Sequence, residues 1–221
     1  MFIKEIEQKI PTYIFKHLRK IELIYCGYHN CSYSAFYKDE KVQIRIAKNN
    51  FVNWKNESIY LEGNTDFIFY KNGNFIKKWY EGNILNKTIA KENQRLLFQK
   101  ILDFQEQKPS NIEQFDWNIL NITDQKYCNI LKKYQNEQLV LNHGDLCFKN
   151  IIFNEKTKEI KFIDFEWVRY NSKYFDLVCL YLYMNIDKDE IISYFNLDRQ
   201  KFADYVYLIK TFNKYWNLKF Y

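Results

Sequence analysis

The chain has 221 residues, 47% of them apolar, enough for one substantial core or two compact lobes and too apolar for a disordered segment. Its net charge of +6 comes from 33 Lys and Arg against 27 Asp and Glu, with no clustered basic run, so no nucleic-acid partner is expected. No apolar stretch approaches the roughly 18 residues that span a bilayer, and the N-terminus lacks a signal-peptide core, so no membrane anchor is expected. The five cysteines (Cys26, Cys31, Cys128, Cys147, Cys179) include no C-x-x-C pair, which points to a reduced, cytoplasmic protein. Aromatic residues reach 19% while Gly and Pro number 5 and 2, a bias read as genomic rather than functional.

Helical spacing runs over residues 1–20, with Ile3, Ile6 and Ile10 on one face, a break at Pro11, and continuation through Ile14, Phe15 and Leu18. Three strands follow, at 21–27, 32–37 and 41–47, the last alternating Val42, Ile44 and Ile46 against Gln43, Arg45 and Ala47. A helix over 51–61 precedes strands at 66–70 and 74–80, which flank the hairpin signal Asn72-Gly73. Past Gly82 the pattern turns helical: 86–107, carrying Leu97, Ile101 and Phe104, then 124–138. Two short strands at 151–153 and 160–163 lead to helices over 172–184, 187–195 and 198–221. The expectation is an α+β fold of the bilobal protein-kinase-like type, with a small antiparallel-sheet N-lobe and a helical C-lobe. The lobes would be a nucleotide-binding 1–82 and a catalytic and acceptor-binding 83–221.

Between the second lobe's helices lies His143-Gly144-Asp145-Leu146-Cys147-Phe148-Lys149-Asn150, followed by the apolar Phe162-Ile163 and then Asp164-Phe165-Glu166. The spacing H-x-D-L-x-x-x-N, with a strand-borne Asp beyond it, matches a phosphoryl-transfer site. Asp145 and His143 form the candidate catalytic pair, with Asp145 accepting the acceptor's hydroxyl proton and His143 bracing the loop. Asn150 and Asp164 supply oxygen ligands suited to Mg²⁺. Glu166 stands where a protein kinase would carry Gly, which turns the reading toward small-molecule acceptors.

In the first lobe, Val42-Gln43-Ile44-Arg45 parallels the V-A-I-K strand, placing Arg45 where a lysine would meet nucleotide phosphates and a helix carboxylate. The partner would be Glu57, or alternatively Glu62. The Gly27 to Tyr33 turn would offer backbone N–H groups around Asn30 to Ser32 to phosphates, and Trp79, Tyr80 and Glu81 lie where a hinge would hold adenine. The plain alternatives are an exposed strand arginine, an ordinary hairpin turn and core aromatics.

With these residues together, the chain resembles the choline/ethanolamine kinase and aminoglycoside phosphotransferase superfamily over most of its length. Ile163-Asp164-Phe165-Glu166-Trp167, Tyr170-Asn171 and Phe175-Asp176 look most like choline kinases of the bacterial phosphocholine type. The resemblance implies ATP and Mg²⁺ as cofactors and transfer of the γ-phosphate to choline or ethanolamine. A quaternary ammonium needs carboxylates and aromatic faces, with cation–π contacts of about 0.5–2 kcal/mol each. Glu166, Trp167, Trp216 and Tyr181 (or Tyr183) are the candidates. Two features depart from the pattern: the loop reads His-Gly-Asp, more usual for aminoglycoside and sugar kinases, and the C-terminal lobe is short. The same chemistry on an aminoglycoside, a sugar or thiamine is the alternative, and a catalytically silent binding module is a third reading.

Overall fold

The computed structural model describes residues 2–49 and 54–220. They fall into two units, Met1–Glu81 and Gly82–Tyr221.

The first unit is an antiparallel five-stranded sheet with helices against it. Strands β1 (Leu18–Cys26), β2 (Asn30–Tyr37), β3 (Glu40–Ala47), β4 (Phe67–Lys71) and β5 (Asn74–Lys78) lie in the order β1-β2-β3-β5-β4. Helices α1 (Phe2–Lys9) and α2 (Thr12–Phe15) separate at Pro11 as the sequence predicts, and α3 (Trp54–Leu61) connects β3 to β4. Residues 51–53 of the helix expected over 51–61 lie outside the described residues. One sheet face carries Cys31, Tyr33, Ala35, Val42, Ile44, Ile46 and Ile76, and it packs with Ile6, Ile10 and Ile14 into the unit's core. Ile3, expected on the same helical face, is instead 58% exposed, and Leu18 opens β1 rather than closing a helix.

Turn chemistry fixes this sheet's register. Asn72 and Gly73 both have positive φ and join Lys71 to Asn74, the tight hairpin that an Asn-Gly pair favours. Gly73 has a second constraint, because a Cβ there would run into the Trp54 indole. Cys26 and Cys31 are register partners across β1 and β2 and are joined in a disulfide, which corrects the expectation of five reduced thiols. Five positions apart, they form no C-x-x-C pair, and the hairpin brings them together.

In the second unit, β6 (Asn83–Ile84), β8 (Ile151–Asn154) and β9 (Glu159–Phe162) form one sheet, and β7 (Leu139–Asn142) pairs with β10 (Arg169–Ser172). The helices are α4 (Lys87–Glu92), α5 (Gln94–Gln105), α6 (Gln125–Lys133), α7 (Tyr174–Met184), α8 (Lys188–Tyr194) and α9 (Arg199–Phe220). The helix expected over 86–107 is broken at Asn93, whose φ of −116° is not helical. The helix expected to reach 138 stops at Lys133. Neither β7 nor β10 was legible, since each is four residues long and exists by pairing with a distant segment. No helix among the described residues is long and apolar enough to cross a membrane.

A polar cluster pins α9 to this framework. Glu137, just before β7, accepts hydrogen bonds from Ser172 Oγ (2.9 Å), Lys201 Nζ (2.6 Å) and Tyr205 OH. Tyr205 stacks between Tyr174 (5.5 Å) and Tyr134 (5.8 Å), and Asp204 accepts from Tyr134 OH (2.7 Å) and Lys133 Nζ (3.0 Å). Burial, followed by the hydrogen bond and the charge of Glu137, holds the Tyr205 phenol well above its ordinary range. A phenol whose folded pKa exceeds its unfolded value stabilises the fold fully below the unfolded pKa of about 10, and that contribution is lost as pH rises above it. Urea unfolding midpoints should therefore fall between pH 9 and pH 11, and Tyr205→Phe should flatten that fall; an unchanged pH dependence in the variant would contradict the assignment.

Candidate active site

The loop between β7 and β8 is held from beneath by one carboxylate. Asp176, in the first turn of α7 and 1% exposed, accepts the backbone N–H of His143 (2.6 Å) and of Gly144 (3.1 Å). Burial pushes its pKa up, against the opposing pull of His143 and the two N–H groups. Asn142 ties the same region together. Its Nδ2 donates to the carbonyls of Val140, Asn171 and Ser172 at 3.0–3.2 Å, and its Oδ1 accepts from Asp176 N. The His143 ring is fully buried, with Nδ1 accepting from Asp145 N (3.3 Å) and Nε2 2.9 Å from Ile163 O. Nδ1 as acceptor leaves the ring proton on Nε2, donating to that carbonyl. Both nitrogens are thereby used inside the fold, so His143 spans the loop and the end of β9 and faces no acceptor.

Asp145, Asn150 and Asp164 come from adjacent backbone. A short 3-10 helix, Phe148–Asn150, swings Asn150 back so that its Nδ2 donates to both the main-chain oxygen and Oδ2 of Asp145, each at 2.8 Å. With both amide protons committed there, Asn150 Oδ1 is the oxygen available to a cation. Ile163 N donates to Asn150 O (2.9 Å), carrying the β8–β9 ladder to the residue before Asp164. Asp164 then takes a left-handed conformation with φ +68°, an uncommon backbone for a non-glycine residue and one that clusters at functional sites. One carboxylate and one amide oxygen suit Mg²⁺, which keeps its remaining positions for water and phosphate.

Two loop residues were not singled out by the sequence reading. Lys149 Nζ lies 3.4 Å from Asp145 Oδ2. Burial would lower the Lys149 pKa, but the carboxylates of Asp145 and Asp164 carry it above its ordinary value. Cys147 donates weakly toward Asp145, and burial together with that carboxylate pushes its thiol up to about 12, so it stays protonated and unreactive.

On the other side of the loop, Gly144 has φ +83°, and a Cβ there would collide with the Trp167 carbonyl. The glycine is thus demanded by the close approach of the 164–167 turn. The His-Gly-Asp spelling thus has a packing cause in this fold. Trp167 meets Trp216 of α9 edge-to-face at 5.6 Å, both rings half-buried, and Trp216 stacks on Phe212 at 5.9 Å. Glu166 beside them is 5% exposed. Tyr181 is not part of this group, since its ring meets Phe202 at 6.1 Å. Tyr183 lies on the α7 face that also carries Asp176 and Cys179. Burial, then Cys179 and the more distant charge of Asp145, push its phenol up to about 12, and its oxygen accepts from Asn213 Nδ2.

Within the first unit, Arg45 and Glu57 form an ion pair, 2% and 1% exposed respectively. Arg45 Nε donates to Gly73 O (2.9 Å), the guanidinium lies 4.4 Å from the Phe75 ring centroid, and Tyr70 OH donates to Glu57 Oε2 (2.9 Å). The exposed-arginine alternative is excluded. Removing one member of such a buried pair costs about 3–5 kcal/mol, because the other is left charged and unmatched. Asn30 and Ser32 stand within β2, in register with Ala47 and Arg45, so the turn proper is only Gly27 to His29. Trp79 and Tyr80 follow β5, half-buried rather than core, each with a lysine ammonium over its ring: Lys41 at 3.9 Å and Lys77 at 3.4 Å. Glu81 is exposed.

A model of the ecdysteroid kinase-like family matches residues 28–199, more than three quarters of the chain. The chain belongs to the ecdysteroid kinase-like family. A protein of Metamycoplasma hominis, described as uncharacterized, is 38% identical over 202 residues, 91% of this chain and 40% of that one. The chain therefore spans about two fifths of the length of this curated relative. Among solved structures, choline kinase LicA from Streptococcus pneumoniae superposes with a TM-score of 0.77 at 16% identity, covering 98% of this chain and 89% of that one. A choline/ethanolamine kinase family protein from Mesorhizobium loti gives 0.72 at 14% identity, covering 99% and 86%. The GDP complex of aminoglycoside 2'-phosphotransferase-IIIa gives 0.64 at 16% identity, covering 97% and 88%. At these identities the likeness establishes the fold: this ecdysteroid kinase-like chain has the α+β protein-kinase-like fold of those enzymes.

Gly144→Ala should lower the unfolding free energy by at least about 1–2 kcal/mol through its left-handed backbone alone. The clash with Trp167 adds to that, and its displacement should show in tryptophan fluorescence. An alanine variant with wild-type stability and emission would contradict the packing account.

Proposed function

We propose that this chain is an ATP- and Mg²⁺-dependent kinase that phosphorylates the hydroxyl of a small cationic alcohol, choline or ethanolamine, in the cytoplasm. The observation that carries the reaction is the convergence on Asp145: its carboxylate is fixed by Asn150, in a loop gripped by Asp176, next to the strand end that delivers Asp164. Phosphoryl transfer is achieved mostly by positioning and charge compensation, which is what this loop is built to supply.

The roles follow from the geometry. Asp145 Oδ2 is occupied by Asn150, so Oδ1 receives the acceptor's hydroxyl proton as its oxygen bonds to the γ-phosphorus and the bond to the departing ADP breaks. Asn150 Oδ1 and the Asp164 carboxylate are the metal ligands. Mg²⁺ bound there would neutralise phosphate charge and hold the phosphates in line. In the first unit the Arg45 fork, oriented by Glu57, is assigned to the nucleotide phosphates, the Gly27 to His29 turn to their cover, and Trp79 to Glu81 to the adenine. Residues 1–82 are thereby assigned as the nucleotide-binding lobe and 83–221 as the catalytic lobe.

The acceptor is inferred from the Trp167–Trp216 pair with Glu166 alongside, two indoles and a carboxylate being groups that recognise the donorless quaternary ammonium of choline and, through the carboxylate, the N–H donors of ethanolamine. Tyr183 replaces Tyr181 as the tyrosine assigned to this wall.

Purified protein with Mg²⁺-ATP should release ADP when given choline or ethanolamine, above its response to aminoglycosides, sugars or thiamine. Asp145→Asn should reduce that turnover at least about 10²-fold without lowering the melting temperature. Stimulation only by one of the other alcohols would replace the acceptor, and no stimulation by any would leave nucleotide binding without transfer, the silent-module reading.

A further inference from the structure

The loop and the turn that faces it, residues 143–150 and 164–167, contain three carboxylates and a single lysine or arginine, Lys149. Three observations single that lysine out. Its ammonium lies 3.4 Å from Asp145 Oδ2, the same oxygen that Asn150 Nδ2 holds at 2.8 Å. Its side chain is 71% exposed, so most of the stem is open to solvent and the ammonium is held beside Asp145 by charge and hydrogen bonding to that carboxylate. Among the described residues, the other carboxylate oxygen, Oδ1, meets only the Cys147 thiol, at 3.9 Å. Asp145 is therefore two-sided, with Oδ2 given to Asn150 and Lys149 and Oδ1 open.

An acceptor hydroxyl bound to Oδ1 sits about 2.7 Å from it, with the reacting phosphorus about 3–3.5 Å further at the moment of attack. An ammonium already beside Oδ2, on a stem free to rotate, reaches the equatorial oxygens of that phosphoryl group. We propose that Lys149 is a catalytic residue whose ammonium contacts the transferring phosphoryl group, holding its charge as it leaves ADP for the acceptor. The inference rests on the kinase reading of Asp145 and adds a charged contact that reading lacks. Lys149 neither gives nor takes a proton: the acceptor's proton passes to Asp145 Oδ1, one O–P bond forms, and the bond to ADP breaks. The exposure that makes Lys149 resemble a surface lysine is what allows it to follow the phosphoryl group.

The test separates diphosphate from triphosphate. Calorimetric titration with Mg²⁺-ADP and with the Mg²⁺ complex of a non-hydrolysable β,γ-imido ATP analogue is run on wild type, Lys149→Met, Lys149→Arg and Asp145→Asn. Lys149→Met should weaken the triphosphate analogue about tenfold, with ADP unchanged, and lower kcat about ten- to a hundredfold at a constant acceptor KM. Lys149→Arg should restore most of both, since the charge is kept. A Lys149→Met protein matching wild type in triphosphate affinity and turnover overturns the inference while the kinase reading stands on the Asp145→Asn result. Equal weakening of both nucleotides, or a lowered melting temperature, assigns Lys149 a structural role and also overturns it. Wild type binding neither nucleotide defeats the kinase reading itself, and Lys149 with it.

Discussion

The second unit depends on one buried carboxylate meeting two backbone N–H groups. Asp176 sits in a region with almost no access to water, and the N–H groups of His143 and Gly144 have no strand partner. Left unmet, each would cost about 1–3 kcal/mol. Their capture by Asp176 fixes where β7 ends, and therefore where Asp145 begins its loop. The His143 ring, crossing to Ile163 O, extends the same constraint to the end of β9 and to Asp164. The carboxylates of Asp145 and Asp164, the proposed base and metal ligand, thus inherit their positions from backbone and ring hydrogen bonds around His143.

The first unit uses a related device with formal charges. Arg45 and Glu57 are buried on the sheet face opposite the Ile6, Ile10 and Ile14 core, and the pair makes further hydrogen bonds, Arg45 donating to the Gly73 carbonyl and Glu57 accepting from Tyr70. A buried ion pair is a weak source of net stability, because desolvation offsets most of the attraction. Its value here is directional, since a guanidinium held at several points is fixed in one orientation. Gly73 shows how tightly this is arranged: one residue makes the turn, clears the Trp54 ring and supplies the acceptor for Nε.

Much of this was legible in the sequence where the signal is local. The His143 to Asn150 spacing survives translation into structure because one turn of 3-10 helix suffices to bring Asn150 onto Asp145. Asn72-Gly73 specified its hairpin, and the alternation of Val42, Ile44 and Ile46 specified the core face of β3. The illegible features depend on partners distant in sequence. Strands β7 and β10 exist only as a pair, the Asp176 grip requires α7 to dock under the loop, and Cys26 finds Cys31 only once the hairpin closes. The packing cause of Gly144 was hidden for the same reason, being a carbonyl more than twenty residues away. Lys149 gave no signal because a lysine in a lysine-rich chain stands out only by what it touches.

The proposed reaction requires Asp164 and Asn150 to hold a metal through which this ecdysteroid kinase-like chain engages nucleotide. Measuring ATP affinity with saturating Mg²⁺ and with chelator, in wild type and in Asp164→Ala, tests it directly. Binding should depend on metal in the wild type and be lost in the variant, with melting temperature preserved. Equal wild-type affinity with and without the metal, or full Mg²⁺ dependence retained without Asp164, would contradict it.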